Sequence, residues 1–159
     1  MRGWRPMPVV FKIIWILLLI GTFFSLFGVF TAAKQGYMVL GQQLYGLWGA
    51  NTMFAVSILF PVILLVAMYK RLSWAWIWGV ILYLFMCVNE LLMIGHLTET
   101  VDLIMAELPD FYYEMVPDLW QVLYYFVIAG VILGVLVNLF FILAFIIKRR
   151  YFRVPTMGK

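Results

Sequence analysis

The chain has 159 residues, of which 67% are hydrophobic, 19% aromatic and 11% charged, and its formal net charge is +4. A water-soluble fold of this length could not bury so large an apolar fraction, so the composition excludes an ordinary soluble domain. A bilayer removes this difficulty, because lipid-facing side chains can be as apolar as those of the core. We therefore predict an all-α integral membrane protein.

Four apolar runs are long enough to cross a hydrocarbon core of about 30 Å, which takes about 20 helical residues. They cover about residues 13–33, 47–68, 72–95 and 119–147. We expect the four spans to form one transmembrane bundle that makes up a single domain over residues 1–159. The fourth run is longer than the core requires, so we expect it to tilt or to project from the membrane.

The basic residues predict the orientation of the bundle. All but one of the eleven Lys and Arg residues flank the apolar runs on one side, and the exception is Lys34. The ten are Arg2, Arg5, Lys12, Lys70, Arg71, Lys148, Arg149, Arg150, Arg153 and Lys159. Basic loops mark the cytoplasmic side, so both termini are predicted to be cytoplasmic. Contact with lipid headgroups explains these clusters, and no nucleic-acid partner is expected.

The loop between the third and fourth spans has no basic residue and holds six of the seven acids. Within it Val101, Ile104, Met105 and Leu108 recur at the spacing of one helix face. Pro109 disfavours helical backbone at the residue before it. We therefore predict a short amphipathic surface helix over about residues 98–108, lying on the outer side of the membrane.

Small residues form a stripe on two of the predicted spans. The fourth span has Gly130, Gly134 and Asn138 at intervals of four, and the first has Gly21, Ser25 and Gly28. Small residues let helix backbones approach closely in lipid, and an amide there is best satisfied by a neighbouring helix. The stripes predict either packing within the bundle, with spans one and four in contact, or an interface between copies. Pro61 leaves the carbonyl of Ser57 without its helical partner, and we expect Asn138 to bond to that kink.

Glu90 is the only acid inside a span, and charged groups in lipid are costly and are often functional. Other polar residues are expected at a similar depth near the outer ends of the spans. The resulting candidate is a polar pocket open to the outside, formed by Glu90, Asn89, Asn51, Thr52, Tyr124 and Tyr125. In it we expect Glu90 to be hydrogen-bonded by Asn51 or by one of the two tyrosines. Simple polarity at helix ends is the competing interpretation.

Cofactor and catalytic signatures are missing from the sequence. The single histidine, His96, excludes a bis-His haem, and a zinc site would need loop acids such as Glu99 as further ligands. The single cysteine, Cys87, excludes an intrachain disulfide. No zinc-protease, hydrolase, Walker or dinucleotide-binding motif is present. We therefore expect no metal, no cofactor and no catalytic residue, although a membrane enzyme that uses the outer pocket stays open.

The basic turn has the sequence Tyr-Lys-Arg-Leu-Ser-Trp-Ala-Trp at residues 69–76. Trp74, Trp76 and Trp78 are predicted to form an aromatic belt at the membrane interface. In this layout the chain resembles many small prokaryotic membrane proteins, which implies a prokaryotic plasma membrane but no activity.

Two functions follow from these observations. The first is a non-enzymatic structural or accessory subunit, which packs against copies of itself or against a larger membrane protein. The alternative is a small oligomeric transporter or channel that uses Glu90. One acid and scattered amides are few for a polar path across the whole core, which favours the subunit.

The orientation can be tested by labelling an introduced cysteine. In a Cys87→Ser background, we expect Pro155→Cys to resist a membrane-impermeant maleimide applied from outside. The same reagent should react with Thr98→Cys, which serves as the exposed control. Labelling of position 155 from outside would contradict the predicted topology.

Overall fold

The computed structural model describes residues 7–109 and 111–153. Four of its helices are long and apolar enough to cross a membrane, which confirms the predicted fold class. Arg2, Arg5 and Lys159, which contribute to the predicted orientation, lie outside the described residues, as does position 155 of the labelling experiment.

The first span is the helix α1, Val9–Gln35, which begins after Pro8. The second span consists of α2, Gly46–Phe54, a π-helix, Ala55–Leu59, and α3, Phe60–Tyr69. Pro61 has no N–H and crowds the preceding turn, so an ordinary α-helix would be strained there. The wider π turn in front of it absorbs this disruption while the span continues.

The third span begins as α4, Ala75–Met93, and passes through a 3₁₀ turn, Ile94–His96, into α5, Leu97–Glu107. The helix predicted over 98–108 is therefore present and ends before Pro109. It directly continues the third span, and the helical stretch over 75–106 is 32 residues long. Val101 on its apolar face is buried, because α5 packs against the fourth span.

The fourth span is α7, Leu119–Ile147, with the same limits as predicted. It is preceded by the short helix α6, Phe111–Met115, and followed by the single turn α8, Arg150–Arg153.

A β-hairpin that the sequence did not predict joins the first two spans. Its strands, β1 at Tyr37–Val39 and β2 at Gln42–Leu44, pair antiparallel with Val39 opposite Gln42. The two turn residues, Leu40 and Gly41, both have positive φ angles, +50° and +74°, as a type I′ turn requires.

The largest apolar core lies at the end of the bundle that carries Lys12, Lys70, Arg71 and Lys148, which we call the basic end. Phe11 of α1 packs there against Phe145 of α7 and Phe152 of α8, with ring centroids 5.1 Å apart in both pairs. Arg71 donates a hydrogen bond of 3.1 Å to the carbonyl of Tyr151. Both ends of the described chain therefore lie beside the Lys70–Arg71 turn.

Two tryptophans near the basic end bind the second span. Trp15 donates to the carbonyl of Leu65 at 3.1 Å, and Trp78 donates to that of Phe60 at 3.3 Å. An indole N–H needs an acceptor when it is buried, which explains these bonds. Trp78 is thus a contact between helices, whereas Trp74 is exposed, as a belt residue would be.

The third and fourth spans run antiparallel in close contact. The contacts pair Gly79 with Phe145, Tyr83 with Phe141 and Glu90 with Gly134. Residue numbers thus rise along α4 as they fall along α7. Further along, the Trp120 indole donates to Asp102 at 2.9 Å. The register therefore continues into α5, which lies alongside α7.

Gly79 makes this contact possible, because a Cβ there would lie 2.6 Å from the ring of buried Phe145. We expect Gly79→Ala to destabilise the protein by about 1–3 kcal/mol through overpacking. Gly130→Ala should have little effect, because a Cβ there would meet no atom of another helix within 4 Å. Thermal unfolding in detergent measures both changes. Equal effects of the two substitutions would contradict the observed helix contact.

Candidate functional site

Glu90 lies on α4 and points at α7. Its carboxylate is paired with the side chain of Asn138, whose amide group can donate a hydrogen bond to it. Asn138 is only 6% exposed. A Cβ at Gly134 would lie 2.6 Å from both Glu90 carboxylate oxygens. The lack of a side chain at Gly134 therefore makes room for a polar pair between the third and fourth spans.

This arrangement corrects two expectations about hydrogen bonds. Glu90 is paired with Asn138 and not with Asn51, Tyr124 or Tyr125. Asn138 in turn does not bond to the kink at Pro61, because its side chain is turned to α4. Near the kink, the Ser57 hydroxyl lies 3.3 Å from that of Tyr37 in the hairpin.

The predicted outer pocket is not assembled in the structure. Asn51 and Tyr125 are exposed, and Thr52 is partly buried on α2. The Tyr124 ring stacks on Trp120 with centroids 5.1 Å apart. The Asn89 side-chain oxygen accepts the backbone N–H of Leu40 at 2.7 Å, so it holds the strained hairpin turn against the third span.

The predicted small-residue stripes have several different environments. Gly134 and Asn138 face α4, as described above. Gly28 faces the second span, where an added Cβ would overlap the side chain of Met53. Gly21 and Gly130 have open space beside them. The expectation that the two stripes form a contact between spans one and four is therefore wrong.

The open space beside Gly21 belongs to a cavity of about 230 Å³ at the middle of the bundle, which we call the α1–α7 groove. Its α1 wall consists of Leu17, Leu18, Gly21, Thr22 and Ser25. Its other lining residues are Ser57 and Pro61 of the second span, Tyr83 and Met86 of α4, and Phe141 of α7.

The helix faces show how the groove arises. Residues seven apart lie on nearly the same face of an α-helix. On α1, Ile14 is buried in the core while Gly21 is exposed. On α7, Ala144 is buried while Val137 and Gly130 on the same face are exposed. The two helices thus pack at the basic end and leave a gap between them further along.

A second cavity of about 230 Å³ lies at the opposite end of the bundle. Gln35, Met38 and Gln43 line it from α1 and the hairpin, and Thr100, Leu103 and Ile104 line it from α5. It contains no charged side chain, so the hairpin and α5 enclose a mildly polar space rather than an ion site.

The Nδ1 atom of His96 donates a hydrogen bond of 2.9 Å to the carboxylate of Glu99, one helical turn away. Within residues 7–109 and 111–153, no three His, Cys, Asp or Glu side chains are grouped so that they could hold a metal ion.

No protein-family model, curated protein or solved structure matches this chain.

The Glu90–Asn138 pair predicts how substitutions at position 90 behave. Glu90→Gln keeps the shape of the side chain and an oxygen for the Asn138 amide, so it should leave stability nearly unchanged. Glu90→Leu removes the acceptor and leaves the buried amide without a partner, which should destabilise the fold by about 1–3 kcal/mol. Reversible unfolding in mixed micelles measures the difference. Equal stability of the Leu and Gln variants would show that the pair does not hold the helices together.

Proposed function

We propose that this protein is a non-enzymatic subunit of a membrane complex, and that it receives a transmembrane helix of another chain in the α1–α7 groove. The observation that carries this proposal is the gap between α1 and α7, whose α1 wall includes the small residues Gly21, Thr22 and Ser25. In lipid, such surfaces gain energy when a second helix packs closely against them.

The shape of the groove supports a helical occupant. Gly21 and Ser25 on α1 leave room for an approaching backbone, and both lie near the middle of that span. Large apolar side chains, such as Phe23 and Phe24 on α1 and Phe140 on α7, cover the neighbouring surfaces that would meet lipid acyl chains. The groove is thus distinct in size and chemistry from the surfaces around it.

The transport alternative has less support from the geometry. A polar path would need groups at several depths that face a common space. Glu90 is instead partly buried against Asn138 and Gly134, and Asn51 and Tyr125 are exposed elsewhere on the bundle. The Glu90–Asn138 pair is therefore better suited to hold the third and fourth spans together than to form part of a transport path.

The charge distribution supports an orientation with the basic end in the cytoplasm. On this proposal the hairpin and α5 are outside, and the partner shares the bilayer with the subunit. No described feature requires a soluble partner domain.

The proposal is tested by filling the groove. The full-length protein is extracted from its native membranes in a mild detergent and analysed by native mass spectrometry. We expect the wild type to carry a second polypeptide and Gly21→Leu to lose it, because the added side chain occupies the space of the partner helix. Ala129→Leu is the control, since it places the same leucine side chain at an exposed position of α7.

A wild-type protein that is extracted alone under all mild conditions would contradict the proposal. Equal retention of the partner by Gly21→Leu and Ala129→Leu would show that the partner binds another surface.

A further inference from the structure

The basic end carries charge that the chain itself does not balance. No acidic side chain occurs in residues 1–89 or 119–159, since all seven lie from Glu90 to Asp118. Among the described residues, the ion pair of His96 with Glu99 is the only one, and it lies toward the opposite end. Any ordered negative charge at the basic end therefore comes from another molecule.

Five cations meet at this end in one cluster. Arg71, in the turn between α3 and α4, donates to the Tyr151 carbonyl at 3.1 Å, and its guanidinium lies 4.5 Å from the centre of the Tyr151 ring. The Tyr151 N–H in turn donates to the Lys148 carbonyl at 2.9 Å. The two charged turns are therefore adjacent, and together they form what we call the basic cluster: Lys70, Arg71, Lys148, Arg149 and Arg150.

Arg71 is held in one orientation and still has a donor to offer. Its Nη2 atom is bonded to the Tyr151 carbonyl, and its Nε atom is occluded. The remaining nitrogen, Nη1, has no bond to a described residue and is not among the occluded polar atoms, so it faces open space. A guanidinium that is already fixed loses little further entropy when it binds an anion.

The other members of the basic cluster are mobile donors around this fixed one. Lys70, Lys148, Arg149 and Arg150 are all exposed, and no side chain in the described part of the protein is bonded to them. Ser73, in the same turn as Arg71, is exposed as well and adds a hydroxyl group. The cluster thus presents one fixed and four movable cations to an anion at the surface.

Apolar surface adjoins the basic cluster. Lys70 directly follows the last residue of α3 and Lys148 the last residue of α7, so the cluster lies where these spans leave the hydrocarbon. Leu143 and Ile147 lie four residues apart on one face of α7, and they are 54% and 68% exposed. An anion that also carries acyl chains can contact both surfaces at once, whereas a water-soluble anion contacts only the charges.

The charge of the cluster determines which headgroup fits. A phosphodiester supplies the negative oxygens that a guanidinium binds well. Phosphatidylcholine and phosphatidylethanolamine carry a cation beside that phosphate, and no acidic side chain of the basic end could receive it. A headgroup that has the phosphate without a cation, such as that of phosphatidylglycerol, avoids this repulsion.

We propose that the basic cluster is a binding site for one anionic phospholipid in the leaflet at the basic end. Arg71 donates to the phosphodiester through Nη1, the exposed lysines and arginines surround the headgroup, and the acyl chains lie along Leu143 and Ile147. The fixed guanidinium distinguishes this site from the loose contact that any basic loop makes with headgroups. The inference goes beyond the proposed function and does not depend on the α1–α7 groove.

The lipid preference is tested by native mass spectrometry of the full-length protein in a non-ionic detergent. Phosphatidylglycerol and phosphatidylcholine with the same acyl chains are titrated separately into the micelles. We expect one phosphatidylglycerol to bind at least about tenfold more tightly, because each cation near the surface favours an anionic lipid by about fivefold. Equal binding of the two lipids would overturn the proposal, since it would show a non-specific lipid shell.

Two glutamine variants locate the site. Arg71→Gln removes the fixed donor and should weaken phosphatidylglycerol binding by about five- to twentyfold. Lys34→Gln removes the same charge at an exposed position of the opposite end and should leave binding unchanged. Unchanged binding by Arg71→Gln, or an equal loss in Lys34→Gln, would contradict a site at the basic cluster.

A third variant covers the case in which Arg71→Gln does not fold, since Arg71 also contacts Tyr151. Arg149→Gln alters an exposed side chain without a described bond, so thermal stability should stay the same while phosphatidylglycerol binding falls by about fivefold. Binding as tight as that of the wild type would overturn the proposal.

A competition experiment separates the lipid from a free phosphate. Inorganic phosphate should displace bound phosphatidylglycerol no more than chloride does at the same ionic strength, because it cannot use the apolar surface beside the cluster. Displacement by phosphate beyond that by chloride would show that the site selects a soluble anion, and the assignment of a lipid would be wrong.

Discussion

The pairing of Glu90 with Asn138 between α4 and α7 is the constraint on which the arrangement of the helices depends. Lipid offers no hydrogen bonds, so a carboxyl group and an amide in adjacent spans are best satisfied by each other. Gly134 provides the room for the pair, and Gly79 provides the room for Phe145, about three helical turns away. These contacts fix the third and fourth spans in one register, and α5 extends that register beyond the 3₁₀ turn. The first span then packs mainly on the second. The α1–α7 groove is the gap that remains between the first and fourth spans.

Contacts at the basic end hold the spans together in one bundle despite the gap between α1 and α7. Phe11, Phe145 and Phe152 bring α1, α7 and α8 together, and the Arg71 guanidinium lies 4.5 Å from the centre of the Tyr151 ring. Burial raises the pKa of the Tyr151 phenol, and the Arg71 charge opposes this only in part. The phenol therefore stays neutral at physiological pH, and its ring packs against the Arg71 guanidinium in a cation–π contact. At the other end the hairpin, held by Asn89, bridges the two helix pairs.

The spans could be predicted from the sequence because length and hydropathy decide them, whereas the helix contacts could not. A span that is apolar on all sides carries no face that marks its neighbour, so Gly130 and Gly134 look equivalent in the sequence although only Gly134 is in contact. The cost of Glu90 in lipid was predictable, but its partner lay on the fourth span at Asn138 and not among the polar groups near the helix ends. The hairpin was missed because Leu40 occupies a positive-φ turn position at which Gly or Asn is usually found.

A double-mutant cycle between positions 90 and 138 tests this account most directly. The free energies of unfolding of Glu90→Leu, Asn138→Leu and the double variant are compared with that of the wild type in the same bicelles. We predict that the double variant is more stable than the sum of the single effects implies, with a coupling energy of about 0.6–1.7 kcal/mol. Single effects that add to within about 0.3 kcal/mol would contradict it, because the two side chains would then not be interacting.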